Sequence, residues 1–107
     1  MTPEGKVKAK ITKLLKSYGK SVWYFMPVPS GFGVRTVDYI GFVRGVGFVV
    51  EAKREGKDAT DMQKLTLQTI REAGAAAFVV NDEESLQRLK KWLDEWTSSD
   101  LSAEDYD

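Results

Sequence analysis

Two runs rich in β-branched and aromatic residues, Thr36 to Val43 and Val46 to Lys53, flank the dipeptide Arg44-Gly45. No other feature restricts the fold as much. Such runs read as strands, and a short glycine-containing break between them reads as a β-hairpin. A two-residue loop sets Val43 opposite Val46 and, counting back, Asp38 opposite Glu51. A four-residue loop, Arg44 to Gly47, sets Asp38 opposite Lys53 instead. Either register puts Asp38, Glu51 and Lys53 on one face, because strand side chains alternate. A bulge at Gly45 would break the count. Ile40, Phe42 and Val49 share that face, so it is expected to face the core.

The remaining elements follow from periodicity and punctuation. Thr2 suits an N-cap and Pro3 a first helical position. Val7, Ile11, Leu14, Leu15 and Tyr18 recur at helical spacing, with Lys6, Lys8, Lys10, Lys13 and Lys16 around them and Gly19 as a stop. Val22 to Met26 reads as a buried strand, and residues 27–33 as a Pro/Gly loop. A second helix starts at Thr60 with Gln63 in a capping box, and its face is read as Met62, Leu65, Thr69, Ile70 and Ala73. Ala75 to Val80 is a short strand. Asp82 caps a last helix with Leu86, Leu89, Leu93 and Trp96 on one side. The order is α-β-β-β-α-β-α, a three-layer α/β domain with a mixed sheet over residues 1–97. Residues 98–107 form an acidic tail without periodicity.

Composition removes whole classes of chemistry. The 107 residues include no cysteine and no histidine. Disulfide scaffolds, zinc fingers, Ser-His-Asp triads and cysteine nucleophiles are therefore excluded. No run is long and apolar enough for a membrane span, and no signal-peptide stretch follows Met1, so a cytoplasmic protein is expected. No Gly-Lys-Ser/Thr phosphate loop exists, so no nucleotide cofactor is expected. Net charge is zero, yet residues 1–80 hold 13 Lys and Arg against 7 Asp and Glu, while residues 81–107 hold 3 against 9. A basic body suits a phosphate-rich partner, although solvated lysines are the ordinary explanation.

The hairpin offers a specific chemistry. Directly opposed Asp38 and Glu51 would have Cβ atoms roughly 4.5–5.5 Å apart. Like charges so close repel, and burial strengthens the repulsion. A divalent cation resolves the conflict: Mg²⁺ takes oxygen ligands at about 2.0–2.1 Å, and Mn²⁺ has similar tastes. The Ala52 carbonyl is a candidate third ligand. Lys53 beside them could orient a water or stabilise charge on a phosphate. Glu4, three residues before Val7, is placed on the inner face of its helix and is a further candidate ligand; a helix-dipole role explains it equally well.

Val37-Asp38, twelve residues, then Glu51-Ala52-Lys53 resembles the PD-(D/E)xK nuclease motif, with valine where proline is commoner. More narrowly, the chain resembles the virus-type replication–repair nuclease (VRR-NUC) domain. That likeness rests on Glu4, the glycine-rich loop Gly31 to Arg35, Phe48 to Lys53, Gly56-Lys57, Gln63, Glu72-Ala73-Gly74 and Phe78-Val79-Val80. The resemblance implies a restriction-endonuclease-like fold and metal-dependent hydrolysis of DNA. It implies metal-ligand roles for Asp38 and Glu51, a catalytic role for Lys53 and a supporting one for Gln63. Members of this size look like viral or bacterial endonucleases and resemble Holliday-junction resolvases in being dimeric. A homodimer acting on branched or four-way-junction DNA in a bacterial cell, encoded by host or phage, is the corresponding expectation.

Lys6, Lys10, Lys13, Ser30, Arg35 and Lys57 are candidate contacts to the DNA backbone, where they would position without reading sequence. Trp92 and Trp96 are candidate interface residues of the dimer. The rival expectation is a non-enzymatic DNA-binding or assembly subunit of the same fold. A ribonuclease of that fold stays open.

Overall fold

The computed structural model describes residues 1–28 and 37–98. Helix α1 spans Pro3–Ser17, and a single 3-10 turn, Gly19–Ser21, leads into β1, Val22–Phe25. Strands β2, Tyr39–Val43, and β3, Val46–Ala52, are followed by α2, Asp61–Glu72, then β4, Ala76–Val80, and α3, Glu83–Thr97. The element order is the one expected. The four strands form one mixed sheet in the order β1-β2-β3-β4, antiparallel except for the parallel β3–β4 pair.

The chain ends of the helices are fixed as the sequence suggests. The Thr2 hydroxyl accepts from the Gly5 amide, with Pro3 opening α1. Thr60 and Gln63 form a reciprocal capping box at α2, and Asp82 and Ser85 form one at α3.

The hairpin resolves to the two-residue loop. Val43 pairs with Val46, and the register runs without a bulge to Tyr39 opposite Val50. Arg44 and Gly45 both have positive φ, 49° and 84°. A loop with both central residues left-handed matches the right-handed twist of the strands it joins. One step beyond Tyr39, the Asp38 amide donates to the Val50 carbonyl. The regular pairing ends at Tyr39–Val50; Asp38 lies just beyond it, with its amide on Val50 rather than Glu51 and its carboxylate on the Ala52 amide.

Helices lie on both faces of the sheet. Ile11 and Leu15 of α1 and Leu89 and Leu93 of α3 pack on Val22, Tyr39, Val43, Phe48, Val50, Ala52 and Val80. On the other face Leu67 and Ile70 of α2 pack on Val37, Ile40, Val49, Ala77 and Val79. Gly41 is required in the first of these layers. A Cβ there would lie 2.6 Å from the Trp23 carbonyl and 2.7 Å from the Phe48 ring.

Three apolar assignments change. In α2 the face toward the sheet is Gln63, Leu67 and Ile70, while Met62 and Leu65 are exposed, Leu65 to 60%. β1 is buried on one side only: Trp23, Phe25 and Met26 are exposed, as is Phe42 on β2. Helix α2 covers β3, β4 and Ile40 of β2 and leaves Trp23, Phe25 and Phe42 on that face open. Trp92 is half-buried, with an edge-on contact to Phe48 and a tilted one to Phe78, so it belongs to the interior; Trp96 is 40% exposed. Residues 99–107, most of the expected tail, lie outside the described residues.

Candidate functional site

The end of β2, the end of β3, the start of α2 and the first turns of α1 converge. Glu51 is 6% exposed, one of two buried polar residues among those described. Its Oε1 accepts from Gln63 Nε2 at 3.0 Å and lies 4.0 Å from Lys53 Nζ. Gln63 is itself held: its Oε1 accepts from the Thr60 amide at 2.9 Å. The capping box of α2 therefore aims one amide group both at its helix terminus and at the buried acid.

Asp38 Oδ2 accepts from the Ala52 amide at 2.7 Å. A strand residue presents its N–H and C=O to the same edge, so the Ala52 carbonyl faces the side on which Asp38 lies. The neighbouring Lys53 amide goes the other way, donating to Val80 of β4. The other Asp38 oxygen, Oδ1, lies 3.4 Å from Lys8 Nζ. Lys8 also reaches Glu4 at 3.6 Å, one turn back on α1.

Electrostatics marks Glu51 as the strained member. Burial raises its pKa from 4.5 to about 7, the Asp38 charge adds to the rise, and Lys53 opposes it. The Asp38 carboxyl is close enough to share a hydrogen bond with it. Lys8 is affected in the opposite sense: burial disfavours its charge, but Asp38 and Glu4 outweigh that and raise its pKa.

Asp38, Glu51, Ala52, Lys53 and Gln63 are thus brought together. Glu4 is not joined to the acids directly; Lys8 stands between. Among the described residues no group of three or more Asp, Glu, His or Cys converges as a ready-made metal cage. The oxygen donors gathered here are two carboxylates and a backbone carbonyl. Lys6 and Lys10 line a groove with Pro3, Val7 and Glu55, and Lys13 is exposed. At about 100° per residue this lysine stripe falls on the side of α1 away from Glu4 and Lys8. Lys57 is exposed, with its carbonyl accepting from Asn81. Ser30 and Arg35 lie outside the described residues.

Lys8 is the residue that the sequence concealed. It is one of five similar lysines along α1, and only the packing of α1 against the end of β2 distinguishes it. Its carbonyl is held as well, accepting from the Tyr39 hydroxyl at 2.9 Å. The Tyr39 hydroxyl also meets Thr12 at 2.8 Å, which fixes α1 against β2 beside the acids. No protein-family model matches this chain, and no curated protein shows significant sequence similarity to it. Among the described residues no helix is long and apolar enough to cross a membrane.

Proposed function

We propose that this chain is a divalent-metal-dependent DNA endonuclease of the PD-(D/E)xK type, with a restriction-endonuclease-like arrangement of its helices and sheet. The observation that carries the reading is the convergence of Asp38, held on the Ala52 amide, with the adjacent buried Glu51, whose carboxylate also meets Gln63 and Lys53. A protein rarely keeps a buried acid whose ionisation a second acid opposes, unless a cation or a proton completes the site.

The donor set suits Mg²⁺ or Mn²⁺. Asp38 and Glu51 supply hard anionic oxygens, and the Ala52 carbonyl a neutral one. Bound there, such a cation would supply Lewis-acid polarisation of a scissile phosphate and acidification of a water. The chain's own groups do the rest. Gln63 holds the Glu51 carboxylate in one orientation. The Ala52 amide does the same for Asp38. Lys53, on its buried stem, places an ammonium where negative charge develops on the phosphate. Lys8, backed by Glu4, balances the outer oxygen of Asp38.

Action on branched or four-way-junction DNA as a homodimer, in the cytoplasm of a bacterial cell, belongs to the same proposal and rests on the VRR-NUC resemblance. The second reading, a DNA-binding or assembly subunit without activity, has one observation in its favour. Lys8 and Lys53 already pair the two acids, so the cluster can be neutral without a metal. Cleavage separates the two. Purified protein with Mn²⁺ or Mg²⁺ should cut at least one of linear duplex, single-stranded, flapped or four-way-junction DNA. Asp38→Ala and Lys53→Ala should abolish cutting while the fold, followed by circular dichroism, persists. Undiminished metal-dependent cutting by Asp38→Ala would refute the nuclease reading.

A further inference from the structure

Helix α1 turns one stripe toward the sheet, on which Ile11 and Leu15 are buried. Counted back at helical spacing, the same stripe continues through Lys8 to Glu4. Both are half-buried, whereas Lys6, Lys10, Lys13 and Lys16 are exposed. The core-facing stripe of α1 thus ends in two charged groups, and they meet the acids of the site rather than open solvent.

Lys8 Nζ lies 3.4 Å from Asp38 Oδ1 and 3.6 Å from Glu4 Oε2. An ion pair on an open surface is worth at most about 1 kcal/mol and holds neither partner in place. This one is fastened on both sides. Beneath Lys8, the Tyr39 hydroxyl donates to its carbonyl at 2.9 Å and meets Thr12 at 2.8 Å. In front of it, the Ala52 amide takes Asp38 Oδ2 at 2.7 Å, which leaves Oδ1 toward the ammonium.

Charge sets how many further cations the cluster accepts. Fully ionised, Asp38, Glu51 and Glu4 bring three negative charges, and Lys8 and Lys53 return two positive ones. One divalent ion together with one phosphodiester brings the total to zero. A second divalent ion would leave two positive charges in a half-buried cluster, and like charges so close oppose each other. It would also need Asp38 Oδ1 and Glu4, the oxygens that Lys8 holds. Phosphodiester hydrolysis runs with one or with two divalent ions, so the chemistry alone does not fix the count.

We infer that the Lys8 ammonium fills the place of a second cation between Asp38 and Glu4, so that the centre takes a single divalent ion. Lys8 is a positioning residue, acting through Asp38. The inference rests on the nuclease reading for the metal and deepens it, but its test counts bound ions and needs no cleavage.

Binding is measured by electron paramagnetic resonance, from the loss of the free Mn²⁺ signal as protein is titrated. The Asp38→Ala protein supplies the count of ions held elsewhere on the chain, and circular dichroism checks each fold. Above that count, wild type should bind one Mn²⁺ per chain. Lys8→Met should bind two, and its first ion more tightly, because an opposing cation is gone. Lys8→Arg should stay at one, because the charge is retained. Adding Glu4→Gln to Lys8→Met should return the count to one. Two ions in wild type overturn the inference without recourse to any variant. A folded Lys8→Met that still binds one ion with wild-type affinity also overturns it. Wild type that binds no ion above the Asp38→Ala count refutes the metal centre and the inference together. Wild type that binds one ion, with a second admitted by Lys8→Met, but cuts no DNA keeps the inference and refutes only the nuclease.

Discussion

Glu51→Gln should make the metal-free protein more stable, although it alters the most buried polar group of the site. The folded-state pKa of Glu51 is raised from 4.5 to about 7 by burial first and by Asp38 second. Between those values the folded chain holds a proton that the unfolded chain has released. Stability therefore falls as pH rises through this window, and the loss is complete above about pH 7. The whole shift corresponds to at most about 3 kcal/mol. Glutamine keeps the shape and removes the charge. Its oxygen can still accept from Gln63, and its amide can donate to Asp38. In EDTA at pH 8, urea unfolding followed by circular dichroism should show Glu51→Gln about 2–3 kcal/mol more stable than wild type. At pH 5 the difference should shrink below about 1 kcal/mol. Adding Mn²⁺ at pH 8 should stabilise the wild type and leave the variant nearly unchanged. A variant no more stable than wild type at pH 8, or equally favoured at both pH values, would refute the view that Glu51 is an acid held against its own charge.

Leu67→Ala should cost about 2–5 kcal/mol in chemical unfolding, because Leu67 is 2% exposed between α2 and the sheet. Leu65→Ala, two residues away and exposed, should stay within about 0.5 kcal/mol, and a larger loss would contradict the observed phase of α2. Gly41→Ala should lower the unfolding midpoint and loosen the near-ultraviolet signal of the aromatic layer, since its Cβ would collide with the Trp23 carbonyl. A neutral result would mean that β1 and β2 are not packed this closely.

The hairpin was readable because its evidence is local: two apolar runs, a glycine between them, and a period of two that fixes what faces what. With Val43 set against Val46, the regular pairs follow by counting as far as Tyr39 and Val50, and Asp38 and Glu51 lie just past them. The capping residues Thr2, Thr60 and Asp82 were readable for the same reason. Coverage of a surface is not local, and there the reading changed. The aromatic run of β1 has the composition of a buried strand, but α2 packs over β3 and β4 and leaves Trp23 and Phe42 uncovered. In α2 the inward face includes the polar Gln63, recruited to Glu51, and that breaks the hydrophobic period that would have shown Leu67. Lys8 gave no signal at all, because a lysine beside a distant acid looks like any other lysine until the chain has folded.

Joint binding of a divalent cation by Asp38 and Glu51 is measured most directly by anomalous scattering from crystals soaked in manganese. A peak between the two carboxylates, within reach of the Ala52 carbonyl and lost in Asp38→Ala, is the expected result. Acids held by Lys8 and Lys53 alone, with no peak between them at saturating manganese, would contradict it.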